Sequence, residues 1–176
     1  GIIISGDGWD KFPNHNVEAG AVYNGLALNA FLRNGDWVTL ANMTALLHGG
    51  CIGKSHGVPF VHPEYYTQQL YADAAPRTPI ETTWTGPGLD VPQRGGLPAV
   101  KDVPDVDVFS ALNAAHSKLT VFLVNRNLTD DRPVQISVAG FQSGKASATI
   151  IDAKNAQSGN SWDHPDTVKP KSFAVP

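Results

Sequence analysis

The side chains that could carry chemistry are few and dispersed. The 176 residues hold six histidines: His15, His48, His56, His62, His116 and His164. No two lie four apart, so the paired imidazoles of a helical zinc site are absent and no metal is expected. Of 16 carboxylates only three are glutamates, Glu18, Glu64 and Glu81. None falls at the end of a predicted strand, where barrel enzymes hold catalytic groups. There is no P-loop, GxSxG elbow or HExxH. Gly86-Pro87-Gly88 lacks the third glycine and the following helix of a dinucleotide loop, so it reads as a turn. Cys51 is the single cysteine, which excludes an internal disulfide and a multi-cysteine metal site. No cofactor is expected. From pattern alone the chain reads as part of something larger, without an active site of its own.

The elements that would position these residues change character along the chain. Ile2, Ile3 and Ile4 form a short apolar run of a buried strand. Asn16 is placed to cap a helix over residues 17–32, with Val17, Ala21, Leu28 and Leu32 at helical spacing. Arg33-Asn34-Gly35 ends it. Asp36 is placed to cap a second helix, 37–47, which Gly49-Gly50 breaks. Cys51-Ile52 fits a very short strand. Pro63 opens a third helix over 64–72. From residue 75 the period shifts. Six prolines, from Pro76 to Pro104, interrupt the chain. Strands are then expected over 119–124 (LTVFLV), 134–138 (VQISV) and 148–151, which argues an antiparallel sandwich. The fold expected is thus α/β over residues 1–75 and all-β over 76–176.

Charge and size narrow the function. Thirteen Lys and Arg face 16 Asp and Glu, a net charge of −3, so no basic excess exists to hold a phosphate backbone and no nucleic-acid partner is expected. No apolar run approaches a membrane span. The chain is too short for a complete (β/α)8 barrel, which takes about 250 residues. It opens inside an expected strand without an initiator Met, as a fragment or a processed chain would. No targeting segment is visible, and both cytoplasmic and secreted locations stay open.

Four segments, in chain order, resemble the C-terminal part of the α-L-arabinofuranosidases of glycoside hydrolase family 51. Residues 27–43, ALNAFLRNGDWVTLANM, are similar to the family's LNAFIRHADRVKMANLAQLV. Residues 102–110, DVPDVDVFS, are similar to DVPYLDVSA, and residues 119–126, LTVFLVNR, to LTVFVVNR. Residues 160–170, NSWDHPDTVKP, are similar to NTFENPDRVVP. The resemblance implies the last β/α units of a (β/α)8 catalytic barrel over 1–75 and a jelly-roll β-sandwich over 76–176. It implies an arabinose-containing oligosaccharide or polysaccharide as substrate. The N-terminal remainder of the enzyme would be a partner, carried on a separate chain or otherwise. Same-family endoglucanase or xylosidase activity, and a non-catalytic carbohydrate-binding sandwich, are the alternatives.

The resemblance also places site residues. The family's nucleophile lies in a motif ending Asp-Glu-Trp, and the matching stretch here is Asp7-Gly8-Trp9. Gly8 stands where the Glu is expected. A retaining glycosidase needs a carboxylate there to form its covalent glycosyl-enzyme. Three readings of Gly8 stay open: an engineered removal of the nucleophile, a lineage that lost it, or a plain Asp-Gly turn out of register. Asp7 and Trp9 are substrate-binding candidates, and Trp9 equally fits packing beneath the strand end. His62 occupies the place of a family Gln that contacts arabinose, since a neutral imidazole both donates and accepts. A surface His capping the helix is the plainer reading. Trp84 and Trp162 are expected to fill the core or rim of the sandwich. The acid/base Glu has no counterpart segment, so the chain alone is expected to be inactive.

Overall fold

The structure is a computed structural model that describes residues 16–43, 50–127, 129–140 and 144–175. Helix α1 spans Glu18–Arg33 and buries Ala21, Gly25, Leu28 and Asn29, one stripe at helical spacing. The small residues on that stripe let neighbours close in. A Cβ on Gly25 would sit 3.0 Å from Val124 Cγ2, tighter than ordinary contact. Asn16 is not the cap. Val17 takes that position in extended conformation, without a side-chain cap. The first helical amides are satisfied from far away in sequence: Glu18 N donates to Ser158 O at 2.8 Å and Ala19 N to Ala156 O at 3.0 Å.

The expected second helix is not formed where it is described. Residues 34–37 turn and 38–43 are irregular, while 44–49 lie outside the described residues. Trp37 is 89% exposed and Leu40 75%. Among the described residues little covers its apolar face, and a short helix containing Val38 and Thr39 is not stable on propensity alone. Strands β1 (Ile52–Ser55) and β2 (Val58–Val61) pair as an antiparallel hairpin. Helix α2 follows at Pro63–Ala74 with Pro63 at its first position, as the sequence predicts. Ala75, in left-handed conformation, ends it.

All strand pairings among the described residues are antiparallel. β3 (Thr78–Ile80), β6 (Val106–Leu112) and β7 (Leu119–Asn125) form a sheet in the order β3-β6-β7. β4 (Gly88–Val91) pairs β5 (Val100–Pro104), and β8 (Ser147–Ile150) pairs β9 (Lys171–Ala174). The two helices pack on each other, and α1 also packs on β6 and β7. The core is Ala74, Phe109, Ala111 and Phe122, with Leu32 and Tyr71 against it. Tyr71 stacks on Phe122 at 4.2 Å between ring centroids. The core therefore joins the helix pair to the sheet across residue 75.

The strand expected over 134–138 is irregular chain, with Ile136 and Val138 about half exposed. Alternation alone does not make a strand; it needs a partner edge, and no backbone pairing reaches this segment among the described residues. β6 was not expected as a strand. It is buried on both faces, so it shows no clean polar alternation. No described helix is long and apolar enough to cross a membrane.

At the start of α1, burial and the nearby Asp152 charge push the Glu18 carboxyl up to about 7. The folded state thus holds a proton that the unfolded chain releases near its ordinary value. Stability should fall as pH rises from about 4.5 to about 7 and stay low above. Glu18→Gln removes this dependence. In urea titrations at pH 5 and pH 8, the wild type should lose stability at the higher pH and the variant should not.

Candidate functional site

Asp7, Gly8 and Trp9 lie outside the described residues, so of the expected site residues the structure places only His62. It stands between β2 and α2, at the N-cap of the helix, with backbone angles of the extended region. It is 9% exposed, so it is not the surface cap of the plainer reading, and its side chain makes no cap hydrogen bond. Its N–H donates to Cys51 O at 2.8 Å, and its carbonyl accepts from Tyr65 N at 3.0 Å. The ring meets Phe60 edge-on, 5.1 Å between centroids. Backbone and neighbouring ring together fix where the imidazole sits.

Two other reactive groups flank this point. Cys51 and Glu64 are both buried. Burial pushes the Cys51 thiol up, and the Glu64 carboxylate adds to the rise. A thiol held protonated is a packing group, not a nucleophile. Among the described residues no group of three His, Cys, Asp or Glu side chains could hold a metal ion. Tyr65 and Tyr66 pack edge-to-face at 5.8 Å. Trp84 is half-buried and folds over Gly86, where a Cβ would collide with the indole.

Two carboxylates that sequence reasoning passed over are tightly held. Asp107, on β6, is 7% exposed. Asn29 Nδ2 donates to its Oδ2 at 2.7 Å, Arg33 lies 2.9 Å from the same oxygen, and Arg126 Nη2 donates to Oδ1 at 2.8 Å. Behind them, Tyr71 Oη lies 2.6 Å from Asn29 Oδ1 and 3.2 Å from Gly25 O. The guanidinium groups are anchored on backbone as well: Arg33 to Val108 O at 2.7 Å and Arg126 to Pro104 O at 2.6 Å. Asp105, fully buried at the bend between β5 and β6, pairs with Arg132.

Burial would push the Asp107 carboxyl up. The hydrogen bonds from Arg33 and Asn29, with the charges of Arg33 and Arg126, outweigh it and hold the group below the usual range. The same acid and a buried site push the Tyr71 hydroxyl up, burial being the larger cause. Asp107 is matched by two arginines and Asn29, and Asp105 is fully buried in its ion pair with Arg132, so neither is placed to attack or protonate a substrate. This cluster is a clamp: it ties α1, α2, β6 and the end of β7 together. Three of the four segments singled out in the sequence meet in it, through Asn29 and Arg33, through Asp105 and Asp107, and through Arg126. The fourth contributes Asn160, whose side-chain nitrogen donates to Val61 O at 2.9 Å, immediately before His62.

Comparison with known proteins agrees with the segments. The family model of the α-L-arabinofuranosidase C-terminal domain matches residues 11–176. No curated protein sequence matches. Among solved structures, an arabinose complex of α-L-arabinofuranosidase from Thermotoga maritima is similar, with a TM-score of 0.76 and 19% identity over 88% of this chain and 33% of that one. A thermostable GH51 α-L-arabinofuranosidase from Thermotoga petrophila RKU-1 gives 0.79 and 19%, over 90% and 34%. AbfB, a family 51 α-L-arabinofuranosidase from Bifidobacterium longum, gives 0.67 and 18%, over 91% and 33%. The chain thus spans about a third of the structures it matches.

Removing the Asp107 carboxylate would leave two arginines and a buried Asn29 without their shared acceptor. Asp107→Ala should cost about 3–5 kcal/mol, read as a fall in the denaturation midpoint. Because the folded-state value is depressed, the clamp's stabilisation is present above about pH 4 and is lost as pH falls through that lower value. The acid side of the stability profile should therefore flatten in Asp107→Asn.

Proposed function

The chain belongs to the α-L-arabinofuranosidase C-terminal domain family, and from that premise we propose that it is the C-terminal third of a family 51 glycoside hydrolase. In this reading residues 1–75 complete a (β/α)8 barrel whose earlier strands lie in the remainder of the enzyme, and residues 76–176 form its β-sandwich. The family match over residues 11–176 carries the proposal. It is supported by the way three of the four resembling segments interlock around Asp107.

The assembled enzyme would release arabinose from the side chains of hemicellulose or pectin, acting from the chain end with retention. Such a reaction uses two carboxyl groups about 5–5.5 Å apart, one attacking the anomeric carbon and one protonating the leaving oxygen. Neither role falls to Asp105 or Asp107, which are held in ion pairs. The acid/base Glu would come from the remainder of the enzyme. The nucleophile position would be Gly8, flanked by Asp7 and Trp9 as substrate contacts. His62 would offer its ring to sugar hydroxyls, as a group able both to donate and to accept.

Gly8 makes the proposal testable. Residues 1–176 alone should not hydrolyse an aryl α-L-arabinofuranoside. In the complete enzyme, Gly8→Glu should raise turnover by several orders of magnitude with arabinose affinity nearly unchanged, because the added carboxylate acts in the transition state more than in ground-state binding. Azide or formate should partly replace it in the unaltered protein. A silent Gly8→Glu change in a folded enzyme would mean that Asp7-Gly8 is only a turn.

A further inference from the structure

Two aromatic side chains more than a hundred residues apart in sequence meet at the tip of the β1–β2 hairpin. The register runs from Ile52↔Val61 to Ser55↔Val58, so His56 and Gly57 form a two-residue turn. Their φ values are +51° and +79°, the left-handed pair that closes a tight hairpin. His56 Nδ1 lies 3.0 Å from Ser55 Oγ, which fixes the rotation of the ring. Across from it comes the loop 160–168. Asn160 Nδ2 donates to Val61 O and to Val168 O, both at 2.9 Å, and Asn160 Oδ1 accepts from Val168 N at 2.8 Å. Val168 is fully buried beneath. Ser161 N donates to His164 O at 3.1 Å and Thr167 Oγ1 to the same carbonyl at 3.2 Å, which closes the loop on itself.

Trp162 rides on that loop and lies against His56, ring centroids 4.3 Å apart and planes 36° from parallel. It is neither in the core nor loose: 40% of it stays exposed, and both backbones that carry the pair are pinned. We propose that His56 and Trp162 form a stacking platform for a polysaccharide, gripping sugar units beyond the one that is cleaved. The proposal rests on the reading above, because that reading makes the hairpin the connection between the last barrel strand and the last barrel helix, on the face where barrel enzymes bind substrate. The C–H face of a sugar ring is apolar and flat enough to lie on an indole. Its hydroxyl edge needs polar partners, and the exposed side chains of Asp163 and His164 stand next in the loop. At about 3.3 Å per residue, the hairpin tip is roughly 13 Å from the level of His62, farther than one sugar ring reaches. Two rings are also too small a surface for a protein partner, which needs about 800 Å² on each side.

The test uses the complete enzyme and its Trp162→Ala, His56→Ala and Trp162→Phe variants. Affinity electrophoresis in gels containing soluble arabinoxylan reads polymer binding, and calorimetry reads free arabinose. Trp162→Ala should weaken polymer binding about tenfold and leave arabinose binding unchanged. His56→Ala should act in the same direction, and Trp162→Phe should restore most of the retardation. Equal retardation of wild type and Trp162→Ala would overturn the platform, as would a parallel loss of polymer and arabinose binding. Retardation that depends on Trp162 in a protein that does not bind arabinose would support the platform and overturn the arabinofuranosidase reading.

Discussion

One buried carboxylate decides how this chain holds together. Asp107 sits near the start of β6, where water hardly reaches it, and a charge there is tolerated only if its neighbours match it. The matching groups come from α1 and from the end of β7. Because Arg33 and Arg126 must reach the same carboxylate, the helix cannot slide along the sheet. Because Asn29 must present its amide to Asp107 and its oxygen to Tyr71, α2 is fixed to α1 as well. The apolar core of Phe109, Phe122, Ala111 and Ala74 supplies area, but area is indifferent to register. The ionic cluster supplies the direction.

That division of labour bears on what the resembling segments mean. The polar residues of theirs that meet at Asp107 turn out to be framework: they pair with each other. A likeness carried by such residues speaks for a shared architecture more than for a shared reaction. The chemistry assigned to the chain therefore rests on the family as a whole, and at the level of residues on position 8 and His62.

Some of the architecture was readable from the sequence and some was not, for physical reasons that differ by element. α2 and β7 were readable because local cues agree: a proline at the first helical turn, and an unbroken LTVFLV run. β6 was not, because Asp107 and Ser110 break its apolar pattern and their partners lie far along the chain. The segments 37–43 and 134–138 have the right periodicity, yet among the described residues little packs against their apolar side chains, and periodicity alone does not hold an element. Asn29 and Arg126 were quoted as parts of motifs, yet nothing local says that they share one carboxylate. His62 was readable as a position beside α2, while its burial was not.

The start of α1 has a consequence for how the chain is made. Its leading amides are satisfied by the carbonyls of Ala156 and Ser158, more than a hundred residues later. On a ribosome that emits about 5–20 residues per second, the helix start waits roughly 7 to 28 seconds for its own end-cap to emerge. Through that interval the cluster around Asp107 assembles piecemeal, first without Arg126 and then without the closing loop. Contacts this distant in sequence are slow to form, so the nascent chain depends on whatever shields its unfinished helix pair. The stretch that seals the first helix described leaves the ribosome long after the helix itself.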